Sequence, residues 1–88
     1  MEAILTILNR AGVHARPAAM LAKLGRAYKS KITYTAKGIT ADGKNILPII
    51  NIGMNCGTQV TVRAEGEDAK EAISAIMELV NNRFGEHQ

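Results

Sequence analysis

Residues 58–65 read Thr-Gln-Val-Thr-Val-Arg-Ala-Glu, a stretch in which apolar and polar side chains alternate. In an extended chain that spacing puts Val60, Val62 and Ala64 on one face and Gln59, Thr61, Arg63 and Glu65 on the other. A strand so patterned is half buried, with one side on a core and one side in water. Lys31 to Ala36 repeats the pattern, with Ile32, Tyr34 and Ala36 opposed to Lys31, Thr33 and Thr35. Residues 3–8 (Ala-Ile-Leu-Thr-Ile-Leu) place Ala3, Leu5 and Ile7 together, and Ile39 to Asp42 form a short returning strand between turns at Gly38 and at Asp42-Gly43. Four strands with one polar face each predict a mostly antiparallel sheet covered on a single side.

Three segments supply the cover. Ala15 to Tyr28 is rich in Ala, Leu, Met and Lys, with Pro17 in the first turn, where a missing N–H costs little. Asn45 can cap a short helix in which Pro48 takes the third position. A last helix opens with Glu67 and Asp68 in its first turn, carries Ala69, Ile73, Ile76, Val80 and Phe84 at helical spacing, and stops at Gly85. The expected fold is α+β: an open-faced sandwich of a four-stranded, mostly antiparallel sheet with three helices on one face. Residues 1–88 are expected to form a single domain, since the chain is too short for a second core of ordinary size.

Composition excludes several functions. Hydrophobic residues are 47% and charged residues 22%, a globular balance. A single cysteine, Cys56, allows no intramolecular disulfide and fits a reducing compartment. The N-terminus, Met-Glu-Ala-Ile-Leu, lacks the basic stretch of a signal peptide, and no apolar run approaches the roughly 20 residues of a membrane span. A cytoplasmic protein without membrane insertion is expected. The net charge of +3 comes from bases scattered between Arg10 and Arg83, with Tyr28, Tyr34 and Phe84 as the only aromatics. Nucleic-acid binding would want those charges concentrated and interleaved with stacking rings, so an acidic protein surface is the better partner. His14, Cys56 and His87 have no metal-ligand spacing, and no metal is expected.

The chemistry lies in residues 9–17, Asn-Arg-Ala-Gly-Val-His-Ala-Arg-Pro. His14 falls where a loop becomes a helix, and the first N–H groups of a helix, unpaired internally, favour an anion. Arg16 adds a guanidinium suited to phosphate oxygens, and Gly12 lets the loop bend without a side chain in the way. An imidazole, an anion cradle and a cation within nine residues are what reversible histidine phosphorylation needs. Local chemistry leaves a second reading open, in which His14 is a cap or a surface residue. A hydrolytic triad is disfavoured, since no carboxylate lies near His14 in sequence and Ser30 and Ser74 sit in ordinary contexts.

The string Gly12-Val13-His14-Ala15-Arg16-Pro17-Ala18-Ala19 resembles the active-site motif of the histidine-containing phosphocarrier (HPr) family of the bacterial phosphoenolpyruvate-dependent sugar phosphotransferase system. The resemblance runs the length of the chain without an evident gap, through the turn at Gly53 to Gly57 and the last helix. It implies that phosphorylated enzyme I passes a phosphoryl group to Nδ1 of His14, which then donates it to enzyme IIA components. Arg16 would hold the phosphoryl oxygens, with Gly12 and Ala15 in the cradling loop and helix start. The protein would be a carrier rather than a stand-alone enzyme, a monomer, and without a cofactor.

Ile46, Leu47, Ile49, Ile50 and Ile52 point around most of the short helix, so either some are exposed together as an interface or all are core. On the resemblance, Met20, Lys23, Leu47 and Ile50 are docking candidates, and Arg16, Lys23 and Arg26 would steer acidic partners. One position departs from the family: where many members carry a phosphorylatable serine, this chain has Asn45. Serine-type regulatory phosphorylation is therefore expected to be absent. The alternative to the carrier is a regulatory interaction protein of the same fold that signals through phospho-His14, with regulatory proteins as its partners.

Overall fold

The alternating segments pair as one sheet in the computed structural model, which describes residues 1–86. His87, one of the three scattered ligand types above, lies outside the described residues. In chain order the elements are β1 (Glu2–Thr6), α1 (Ala15–Arg26), β2 (Lys31–Ala36), β3 (Ile39–Asp42), α2 (Ile46–Ile52), β4 (Gln59–Glu65) and α3 (Ala69–Asn81), followed by a 3-10 turn at Arg83–Gly85. The sheet order is β1-β4-β2-β3, and all three pairings are antiparallel. One row across the sheet reads Ala3, Val62, Tyr34, Ala41, which shows how the register gathers inward residues. Ile32, Tyr34, Val60, Val62 and Ala64 are buried on that face, while Gln59, Arg63 and Glu65 stay exposed on the other.

The helices close the buried face with Ala18, Leu21 and Ala22 of α1, Ile49 and Ile52 of α2, and Ala72, Ile73, Ile76 and Val80 of α3. Each fully buried Ile, Leu or Val contributes roughly 1.5–3 kcal/mol of transfer free energy. The mostly antiparallel sheet expected from the strand patterns is therefore fully antiparallel.

Five local expectations are corrected. β1 stops at Thr6 because its partner β4 begins at Gln59; beyond it, Ile7 exchanges hydrogen bonds with Thr58 and Gly57 of the preceding turn. α1 ends at Arg26 rather than Tyr28, with Ala27 as its C-cap. α3 ends at Asn81, and the chain turns through left-handed backbone at Arg83 and Phe84 (φ 54° and 55°). Phe84 is nonetheless fully buried, so it belongs to the core from outside the helix. Asp68 is the N-cap of α3, but its carboxylate reaches away to the Lys29 and Ser30 amides and the Ser30 hydroxyl. Asn45 is likewise the backbone N-cap of α2, yet its side chain makes no cap and donates to Asp42 Oδ2 at 2.7 Å.

Candidate functional site

The loop before α1 is built on a close approach. Gly12 has φ +70°, and a Cβ there would stand 2.6 Å from the Met54 carbonyl oxygen. Only glycine meets both conditions without strain. Val13 N–H donates to that same oxygen at 2.8 Å, fastening the loop to the 53–58 turn. Asn9, fully buried, donates from Nδ2 to the Gly12 carbonyl at 2.7 Å and so closes the loop on itself.

His14 is the N-cap of α1 by backbone, with φ −88° and ψ −165°, and its imidazole makes no cap bond. The ring turns instead to a carboxylate far along the chain: Nε2 lies 2.8 Å from Glu86 Oε2. Arg16 Nη2 donates to that same oxygen at 2.6 Å. Asn9 Nδ2 donates to the other oxygen, Oε1, at 2.9 Å. These bonds, Asn9's first, then those of His14 and Arg16, outweigh partial desolvation and hold the Glu86 carboxyl below its ordinary range. His14 and Arg16 remain open to solvent, with 42% and 57% of their side chains exposed, so an incoming group can reach both.

The structure thus brings His14 and Arg16 onto one anionic oxygen and puts Gly12 and Ala15 on either side of the bend into α1. Glu86 is the residue that sequence reasoning missed. Seventy-two positions separate it from His14, and no local pattern announces it.

The docking candidates fall on two helices. Leu47 is 70% exposed and Ile46 37%, while Ile49 and Ile52 are buried and Ile50 is half-buried, so part of α2's apolar surface faces water. Lys23 is exposed and Met20 half-buried, and both also line a groove that α1 shares with Ala75, Glu78 and Leu79 of α3. Arg26 Nη1 donates to the Lys44 carbonyl at 2.9 Å, tying the end of α1 to the start of α2. Among the described residues, no three His, Cys, Asp or Glu side chains gather as a metal group, and no helix is long and apolar enough to cross a membrane.

Residues 1–82 match the family model described as the PTS HPr component phosphorylation site. The phosphocarrier protein HPr of Treponema pallidum is 39% identical over 91% of this chain and 91% of its own length. That of Cupriavidus necator is 36% identical over 92% of this chain and 91% of its own. The crystal structure of HPr-C-His from Thermoanaerobacter tengcongensis superposes with a TM-score of 0.95 at 34% identity, covering 100% of this chain and 99% of that one.

Proposed function

Since the chain belongs to the HPr family of phosphotransferase-system phosphocarriers, we propose that His14 is the residue that accepts the phosphoryl group, from phosphorylated enzyme I, and hands it to enzyme IIA components. The observation that carries this reading is the shared oxygen: imidazole and guanidinium already hold one oxyanion between them, Glu86 Oε2, at 2.8 and 2.6 Å. In the transfer, the His14 Nδ1 electron pair forms the new N–P bond as the donor's N–P bond breaks, and the donor nitrogen recovers its pair. Such a step needs positioning and charge stabilisation more than covalent chemistry. Arg16 supplies the cation and the first turn of α1 the dipole, with Gly12 and Ala15 as the backbone of the cradle.

The whole chain acts as one carrier domain in the cytoplasm. Exposed Leu47 with Ile50, Met20 and Lys23 meets the partners, and Arg16, Lys23 and Arg26 favour acidic ones. Asn45 has no hydroxyl, so a serine-directed kinase finds no acceptor at the head of α2.

The test is incubation with enzyme I and phosphoenolpyruvate. One acid-labile, base-stable phosphate is expected, and His14→Ala should abolish it. Undiminished labelling of that variant, or label at His87, would overturn the assignment.

A further inference from the structure

We propose that Asn9 and Glu86 are positioning residues for this step: Asn9 holds the Glu86 carboxylate so that it fixes the His14 imidazole with its proton on Nε2 and its free electron pair on Nδ1. The inference rests on the carrier reading above and deepens it. An ionised carboxylate only accepts hydrogen bonds. Glu86 Oε2 stands 2.8 Å from His14 Nε2, so the proton between them belongs to the ring, and a neutral ring then offers its lone pair at Nδ1. Because the same oxygen takes Arg16 Nη2 at 2.6 Å, one atom sets both the tilt of the nucleophilic ring and its distance from the cation.

What keeps the carboxylate there is Asn9. Its amide spends one hydrogen on Gly12 and the other on Glu86 Oε1, at 2.7 and 2.9 Å, and the side chain is fully buried. A loop-closing role alone would be met by the bond to Gly12. The second bond aims a group on the far end of the chain at the site. Phe84, buried two residues before Glu86, anchors that segment from below. As Nδ1 bonds to phosphorus the ring gains positive charge, and the Nε2–H contact becomes an ion pair with Glu86. The proton stays on Nε2 throughout, so the new N–P bond and the broken one balance without a proton acceptor. A preplaced carboxylate facing a developing cation lowers the barrier without reorganising during the step.

The imidazole nitrogens report this directly. Nitrogen-15 NMR of the unphosphorylated protein, at a pH where the ring is neutral, should show a single tautomer protonated on Nε2. Asn9→Ala and Glu86→Ala should both relax it to the mixed tautomers of a free ring. Both should slow phosphoryl acceptance about tenfold with little change in apparent affinity for enzyme I. Glu86→Ala alters a partly exposed side chain and keeps the test decisive if Asn9→Ala fails to fold. Mixed tautomers in the native protein, or native tautomer and native rate in the folded variants, would overturn the proposal. The tautomer is read without any phosphoryl donor. A ring fixed by Glu86 in a chain that takes no label on His14 would therefore overturn the carrier reading and support the positioning.

Discussion

Two carboxylates, Asp68 and Glu86, reach across the fold to fasten a distant loop, and they do so with different kinds of donor. Asp68 takes the Lys29 and Ser30 amides at 2.9 Å each and the Ser30 hydroxyl at 2.5 Å. The Ser30 hydroxyl, then the Lys29 amide, push its carboxyl from 3.8 down to about 2. Glu86 takes a buried amide, an imidazole and a guanidinium. Each clasp has a left-handed glycine beside it; a Cβ on Gly66 would stand 2.6 Å from the Ser30 hydroxyl, as one on Gly12 would from Met54. The donors to Asp68 are neutral groups on or next to the backbone, with nothing to do but hold. Those to Glu86 include two exposed side chains capable of chemistry. A carboxylate saturated by backbone is a staple, whereas one held by an imidazole and a guanidinium orients both groups.

Of the two clasps, the one at Glu86 has a buried aromatic, Phe84, two residues before it. Phe84→Ala removes a fully buried ring and should cost about 3–5 kcal/mol in denaturant unfolding, while also freeing Glu86 from the site. Unaltered stability would mean that the Glu86 clasp does not rest on that anchor. Arg16→Ala removes the exposed cation of the same clasp. Its transfer rate should fall by one to three orders of magnitude, roughly 1.4–4 kcal/mol of barrier, with the melting temperature little changed. If the rate held and only affinity for enzyme I fell, Arg16 would be a steering charge. The smallest effect is in the acid limb of stability. Folding lowers the Asp68 carboxyl, so its contribution is complete above about pH 4 and is lost as pH falls toward about 2. Asp68→Asn should flatten the urea midpoint over that window. Glu86→Gln, whose lowered carboxyl acts with the same sign, should flatten it less, because two of its three donors, His14 and Arg16, are exposed and screened by solvent. Equal flattening would make the two clasps equivalent.

The sheet was legible because alternation is a local signal: Ile32, Tyr34, Val60 and Val62 face the core as their spacing requires. The placement of His14 and Arg16 at the start of α1 was legible because helix-start signals are also local. The two clasps were not. Asp68 sits where an acid complements a helix dipole, and nothing near it in sequence points to Ser30, 38 positions away. Asn45 has a good capping side chain that prefers Asp42, three residues earlier. Phe84 continues the apolar stripe of α3 by composition, but the helix ends at Asn81 and two non-glycine residues take left-handed backbone. That turn is what delivers Glu86 to His14.

The position of β4 bears on how the chain is made. It is sixth of the seven main elements in sequence, yet it lies inside the sheet between β1 and β2. Until residues 59–65 leave the ribosome, β1 has no strand to pair with, and the nascent chain holds only the β2–β3 hairpin and its nearby helices. Closing the long loop from Thr6 to Gln59 carries the largest loop-closure entropy of the three strand pairings. His14 lies 72 positions from Glu86, so their contact closes a longer loop still. The imidazole's own contact is thus costlier in loop entropy than the pairing that completes the sheet.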